Sequence, residues 1–360
     1  MRDLISGRVS KLAIRFEKRA EPSRFWQFLS IPLSIIAALA VSSLLIRAAG
    51  ADVGVALTAM YEGSFSGWRE FLETLVQATP LIFTGLAATV AFRGKMWNIG
   101  AEGQLFAGAI AAYWVSTSFS NLPSVILVSM VVLASAVGGG VWGSIPGYLK
   151  AKFQADEIII TAMMNYIMLY LVSFLVSGPW RDPDFVVQST ARLPEAARLP
   201  ILVPRTRFHA GFIISLIVAG LVYTLLWKTP LGYEIRGIGD NPKAVKFKGV
   251  NVTKTWVLIM TISGAIAGLA GGTQLFGVVA RFKPDLSTGF GFTGIMVALL
   301  GGLNPLGVIL ASILFGALVT GSSRMQIVTG VPVALVYTIQ GIVLIFLLTA
   351  EVLAKYRIRR

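Results

Sequence analysis

Asn98, Glu102 and Gln104 are hydrogen-bonding side chains set among apolar and small residues in the stretch Phe92 to Ala111, FRGKMWNIGAEGQLFAGAIA. Hydrocarbon excludes such groups unless they have partners or face a cavity, so they are the leading candidates for a functional site. A second polar stretch, TPLGYEIRGIGDNPKAVKFKGVNVTK at 229–254, carries many charges and opens with Pro230 and Gly232. An element of this kind along a membrane surface suits docking to a partner; the plain alternative is a basic loop that only fixes topology. Other chemistries find few residues to run on. Neither the phosphate-cradling pattern GxxxxGK[ST] nor the zinc pattern HExxH occurs. Gly289-Phe-Gly-Phe-Thr-Gly294 matches GxGxxG but lacks a preceding strand and a βαβ setting, so it reads as a chance match or a helix break. The chain has no cysteine and a single histidine, His209, which excludes disulfides, thiolate metal sites and multi-histidine centres. No catalytic residue and no metal ligand is expected.

The elements that must position the polar residues are membrane helices. Of 360 residues 55% are hydrophobic and 13% charged, against roughly 25% charged in a soluble domain. Mean hydropathy is +0.75. Apolar runs of about 20 residues, enough to cross roughly 30 Å of hydrocarbon, recur from Ile31 to Ala350. The expected fold is an all-α polytopic membrane protein with about ten transmembrane helices, some broken or re-entrant. One transmembrane domain, 31–350, would follow a basic N-terminal segment, 1–30, and precede a tail, 351–360. The first apolar run is too extended for a cleavable signal and reads as a retained span.

The net charge of +14 follows topology and does not point to nucleic acid. Basic residues crowd the N-terminus (Arg2, Arg8, Lys11, Arg15, Lys18, Arg19, Arg24), the tail (Lys355, Arg357, Arg359, Arg360) and the stretch Lys228 to Lys254. Arg93, Lys95, Lys150 and Lys152 occupy two short connectors, and the remainder is close to neutral. That is the positive-inside pattern, and it places both termini and 229–254 in the cytoplasm. No basic stripe accompanies a soluble fold, so a nucleic-acid partner is set aside.

Spans are expected at about Ile31–Ala48, Leu72–Phe92, Asn98–Trp114, Pro123–Tyr148, Ile158–Val176, Ala210–Trp227, Thr255–Val278, Gly289–Leu300, Leu306–Val319 and Val331–Ala350. Ten spans let both termini share a side. A short interfacial helix is expected near Tyr61 to Trp68. The segment 178–209 breaks the apolar pattern with five prolines and reads as an external loop, either touching something outside or simply packed or disordered. Within 229–254, Glu234 to Ile238 and Pro242 to Lys248 suit short helices, since proline in a first turn loses no hydrogen bond. Gly139, Gly143 and Gly147, and again Gly264 and Gly268, have the spacing of closely packed helices. The two halves run loosely parallel, with glycine-broken polar segments at Met96 to Phe106 and Leu286 to Val297; paired breaks of this kind point to a midplane pathway.

Four stretches, in order, carry a family resemblance: 94-GKMWNIGAEGQLFAGAIAA-112, 142-WGSIPGYLKAKFQADEIIITAMMNYI-167, 232-GYEIRGIGDNPKAVKFKGV-250 and 289-GFGFTGIMVALLGGLNPLGVILASILFGAL-318. They resemble the membrane permease subunits of bacterial ABC importers of the ribose/branched-chain type, above all the nucleoside-uptake branch that works with a basic-membrane-protein-type binding lipoprotein. The resemblance implies a multi-pass protein of the bacterial cytoplasmic (inner) membrane that is not itself an enzyme and carries no cofactor. ATP and Mg would be bound on two cytoplasmic ATPase subunits. A second permease subunit, as homodimer or heterodimer, an external substrate-binding lipoprotein and a small polar solute complete the implied partners.

By the same resemblance the substrate pathway would involve Trp97, Asn98, Glu102, Gln104, Phe106 and Asn165, and ATPase coupling Glu234, Arg236, Gly239, Asn241 and Pro242. Asn and Gln each donate and accept, which suits a base edge or ribose hydroxyls. Glu102 has a structural alternative, pairing with a helix N-terminus or a basic residue. Trp97 and Phe106 would stack on a base or anchor at the interface. The expected function is import of a nucleoside or related solute. The alternatives are a pentose-type ABC permease and a stand-alone facilitator or channel, which would have no use for a docking surface at 229–254.

Overall fold

The structure, a computed structural model, describes residues 15–18 and 24–359. Arg2, Arg8, Lys11, Arg19 and Arg360 of the expected cytoplasmic ends lie outside the described residues. The chain runs β1 (Arg15–Lys18), α1 (Arg24–Ala48), α2 (Val53–Phe65), α3 (Trp68–Arg93), α4 (Ala101–Ser118), α5 (Ser124–Phe153), α6 (Glu157–Ser177) and α7 (Gly211–Lys228). It continues through α8 (Pro230–Asp240), α9 (Pro242–Phe247), α10 (Val252–Gln274), α11 (Phe290–Leu300), α12 (Pro305–Thr329), α13 (Val333–Lys355) and β2 (Tyr356–Arg359). β1 and β2 form one short antiparallel pair, and the other long elements are helices. Among the described residues six helices are long and apolar enough to cross a membrane: α3, α5, α6, α7, α10 with the turn that extends it, and α12. Leu33–Ala48, α11 and Ala334–Leu347 are shorter apolar helices.

Several expected boundaries need correction, and the helix expected to end at Val319 runs on to Thr329. The short helix placed near Tyr61 to Trp68 is α2, which starts at Val53 because Asp52 caps it, its Oδ1 accepting from the Val55 N–H at 2.8 Å. The helix expected from Asn98 starts at Ala101; Asn98 stays outside, and its Oδ1 accepts from the Gly100 N–H at 2.9 Å.

The chain divides into two compact units, residues 60–322 and residues 1–59 with 323–360. In the second of these α1 packs on α13. The polar residues singled out above all lie in the first. There α3 is buried almost throughout its length from Leu72 to Phe92. Its hydroxyls survive burial because Thr79, Thr84 and Thr89 each donate to the carbonyl four residues back, at 2.8–2.9 Å.

The glycine spacing of α5 and α10 does what it suggested. A Cβ on Gly139 would lie 2.3 Å from the Gly264 carbonyl, and one on Gly268 2.2 Å from that of Ser135. Lipid gives helices no hydrophobic reason to associate, so this backbone proximity supplies the attraction.

The segment 178–209 is packed, which decides between the two readings left open for its order. The N–H groups of Thr190, Leu193 and Leu199 donate to the carbonyls of Phe282, Ala280 and Phe276 at 3.0, 3.0 and 3.1 Å. Arg281 bonds Asp182 at 2.6 Å, and Arg207 pairs with Glu73. The rings of Tyr113, Trp180 and Phe282 cluster at centroid distances of 4.5 to 6.3 Å. This strap lies along the chain just after α10.

The stretch 229–254 forms the two expected helices. The first begins four residues earlier than Glu234, since Thr229 caps it by accepting from the Gly232 N–H at 3.1 Å. Asn241 caps α9, accepting from Lys243 and Ala244 at 3.1 and 3.2 Å. Pro230 and Pro242 both stand in first turns.

Candidate functional site: two chain breaks that meet inside the bundle

The first break separates α3 from α4. Lys95 turns the chain with φ +50°, and Met96 to Gly100 is not helical. Asn98 Nδ2 donates to Gln104 Oε1 and to Ser263 Oγ, both at 2.9 Å, while Gln104 Nε2 donates back to Asn98 Oδ1 at 3.1 Å. Ser263 in turn donates to the Ala87 carbonyl at 2.7 Å. Asn165 of α6 accepts from the Gly103 N–H at 2.8 Å and donates to the Ile99 carbonyl at 3.0 Å. The Ile99 N–H reaches Thr161 Oγ1 at 3.2 Å. Asn98, Gln104 and Asn165 are each 1–2% exposed, so this amide network is enclosed by protein. Ser263 stands about 16 Å along α10 at 1.5 Å per residue.

The second break separates α10 from α11. α10 ends in a π-turn, Leu275–Val279, followed by Ala280 at φ +60° and non-helical chain to Gly289 at φ +91°. Ser287 Oγ accepts from the N–H groups of Gly289 and Phe290 at 3.2 and 3.1 Å. Glu102, 3% exposed, accepts from the Gly291 N–H at 2.7 Å. A Cβ on Gly291 would lie 2.2 Å from the Glu102 nitrogen, so the first turns of α4 and α11 touch backbone to backbone. The two glycine-broken segments seen in the sequence thus come together at Glu102, which takes the helix-terminus partner that was one of its two expected roles.

The remaining pathway residues separate. Phe106 is fully enclosed by packing, whereas Trp97 is 47% exposed with its ring 4.8 Å from that of Phe92. Sequence reasoning missed Thr161, Ser263 and Ser287, the hydroxyls that complete both breaks. A lone Ser or Thr in an apolar helix bonds its own turn as a rule, so the first two carried no signal. Ser287 lies two residues before the N-cap Gly289, in a serine turn that bonds Gly289 and Phe290, and a lone serine there carried no signal either.

Of the coupling residues, Asn241 and Pro242 are exposed, Glu234 and Arg236 are half-buried, and Glu234 Oε2 lies 3.5 Å from Thr255 Oγ1. Gly239 is placed inward: a Cβ there would stand 2.1 Å from the Arg93 carbonyl. Its position is one of packing between α8 and the end of α3. Between α8 and α9 runs a groove of about 520 Å³ lined by Tyr233, Glu234, Asp240, Asn241, Ala244 and Lys248. Phe247, beside it, is 93% exposed.

At the other end of the unit His209 is enclosed between Gly211, Gly277 and Thr273, and its Nδ1 accepts from the Gly211 N–H at 3.0 Å. Burial pushes its pKa down to about 4, so the ring is neutral at neutral pH. Among the described residues no group of three or more His, Cys, Asp or Glu side chains is arranged to hold a metal ion.

The family described as branched-chain amino acid transport system / permease component matches residues 71–348. Across 92% of its length the chain is 39% identical to the guanosine ABC transporter permease protein NupP of Bacillus subtilis (strain 168), of which it covers 94%. It is 35% identical to the glucose ABC transporter permease protein TsgB13 of Haloferax volcanii, over 91% of this chain and 88% of that one. With the nucleoside ABC transporter permease protein NupB of Lactococcus lactis subsp. cremoris it shares 34% identity, over 78% of this chain and 79% of the relative. No solved structure matches the chain.

Proposed function

The chain belongs to the branched-chain amino acid transport system / permease component family, and on that premise we propose that it forms the membrane route for a nucleoside. It is a permease subunit of an ABC importer and a multi-pass protein of the inner membrane. Membership brings with it the ATPase and substrate-binding components typical of such import systems. The observation that carries the nucleoside reading is 39% identity, nearly end to end, with a guanosine permease, joined by a second nucleoside relative. The glucose permease at 35% favours a sugar as the second reading.

In the proposed arrangement ten spans put both termini in the cytoplasm and 178–209 outside. The solute passes along the two chain breaks, which Trp97, Asn98, Gln104, Phe106 and Asn165 frame, with Trp97 offering the open aromatic face. Because Asn98 and Gln104 are spent on each other, on Ser263 and on the Gly100 N–H, and Asn165 on the backbone of Ile99 and Gly103, these amides hold the shape of the first break, which moves as one piece. ATP and Mg act on the partner ATPases. Those partners engage the groove between α8 and α9 through Glu234, Arg236, Asn241 and Pro242, and Phe247 adds an exposed aromatic anchor. Motion of α8 reaches the first break through Gly239 and Arg93, the residue that ends α3. A second permease subunit and an external binding lipoprotein complete the assembly.

The test is uptake by vesicles holding the assembled transporter, with labelled guanosine, other nucleosides, glucose and pentoses offered in competition. Guanosine or another nucleoside is expected to be taken up and to be displaced by nucleosides alone. Uptake of glucose or a pentose that excess nucleoside leaves untouched would replace the nucleoside reading with the sugar one.

A further inference from the structure

α4 and α11 face each other N-terminus to N-terminus, an arrangement that repels itself. Each helix start carries the equivalent of roughly half a positive charge, in unpaired N–H groups that point outward. The contact at Gly291 and Glu102 is backbone to backbone, so neither side chains nor solvent separate the two ends. In a medium without water such a pair is an anion trap.

One carboxylate occupies it. Glu102 belongs to the first turn of α4 and accepts from the Gly291 N–H in the first turn of α11, at 2.7 Å. Ser287 Oγ, which accepts from the Gly289 and Phe290 N–H groups, ties down the same helix start. Among the described residues no ion pair reaches it, in contrast to buried Glu157, which Lys150 meets at 2.7 Å. Glu102 therefore has helix ends for partners and no basic side chain.

We infer that Glu102 is a built-in counter-charge: it fills the anion site that the two helix starts create, joins the two chain breaks, and leaves the route without a positive centre that an anionic solute could occupy. It is a positioning residue that also sets selection for uncharged solutes. Its carboxylate is committed to the protein and is not a solute ligand. The inference deepens the permease reading but does not depend on which neutral solute is carried.

The test compares wild type, Glu102→Ala and Glu102→Gln in the full assembled transporter, with sodium formate against sodium chloride at equal ionic strength. Formate is expected to raise the thermal midpoint of Glu102→Ala by several degrees and to restore at least a tenth of the lost uptake. It should change neither property of the wild type. Glu102→Gln, nearly isosteric but uncharged, is expected to lose at least tenfold in uptake and to melt several degrees lower. The thermal readings hold whichever solute the transporter carries, so a failed nucleoside assay does not mimic a failed counter-charge. If Glu102→Ala assembles and melts identically in formate and chloride, the inference is overturned. Should Glu102→Ala not assemble, Glu102→Gln decides: wild-type melting and uptake in that variant would show that no charge is required.

Discussion

The two chain breaks meet the same difficulty, backbone left without helical partners inside an apolar bundle, and resolve it with opposite chemistry. The first is closed by neutral groups: Asn98 and Gln104 bond each other, Asn98 also reaches Ser263, and Asn165 and Thr161 take the backbone of Gly103 and Ile99, so that the load is shared. The second rests on one carboxylate, one serine and the strap of residues 182–199 fastened to residues 276–282. A shared network tolerates loss of one bond and resists movement. A break held by a single carboxylate and a strap has fewer ties to release. The comparison assigns rigidity to the first break and movement to the second.

The largest expected effect lies in the rigid network. Asn98→Ala leaves Gln104, Ser263 and the Gly100 N–H without their partner, at about 1–3 kcal/mol for each buried group stranded. Thermal denaturation of the detergent-purified transporter should show a fall of many degrees, and uptake should drop with it. A melting point within a degree or two of wild type would mean the amides do not carry the first break.

Next comes the contact that joins the breaks. Gly291→Ala places a Cβ 2.2 Å from the Glu102 nitrogen and must push the two helix starts apart. Overpacking of this kind costs about 1–3 kcal/mol. The variant should lose uptake more steeply than stability, because the second break can shift where the first cannot. Equal losses would remove the proposed difference between the breaks.

The strap gives a pH signature. The His209 pKa, about 4 when folded, lies below its ordinary 6.5, so the unfolded chain binds the extra proton first as pH falls. The stabilisation is complete above pH 6.5 and is lost as pH descends toward 4, reaching a deficit of about 2 kcal/mol at pH 5. Melting curves of His209→Gln from pH 7 to pH 5 should be flatter than those of the wild type. Parallel curves would exclude this histidine as the source.

The smallest effect belongs to Asp182→Asn. Arg281 holds the Asp182 carboxyl below its usual range, so this pair weakens only as pH falls below about 4. At neutral pH the substitution should speed proteolytic cleavage within 178–209 while leaving the melting point nearly unchanged. Unaltered cleavage would show that hydrogen bonds along 190–199 suffice to hold the strap.

Much of this was legible in the residues. Long apolar runs marked most of the long helices to within about five residues, although α12 runs ten residues past the expected Val319 and α1 starts seven before Ile31. Pro230 and Pro242 marked α8 and α9, and Gly139 with Gly264 marked a close helix contact. What stayed hidden were partners. Ser263 and Asn98 are 165 residues apart in sequence, and nothing about a lone serine in α10 announces the pairing. Glu102 ends on a backbone N–H, which every residue but proline possesses and no sequence displays. Gly239 matched a coupling stretch yet faces inward, because its spacing from Ile235 and Ile238 puts it on the packed side of α8. His209 read as a residue of an external loop; its enclosure follows from the π-turn that brings Gly277 against it.

In the proposed arrangement solute movement through these breaks is driven by another polypeptide acting on α8 and α9. The direct measurement is solute accumulation in vesicles holding the chain with its ATPase and binding partners, with ATP supplied or withheld on the cytoplasmic side. The account predicts accumulation above the outside concentration only with ATP, abolished when Phe247 and Asn241 are both replaced by Asp. Equilibration of the solute without ATP, by this chain alone, would contradict it.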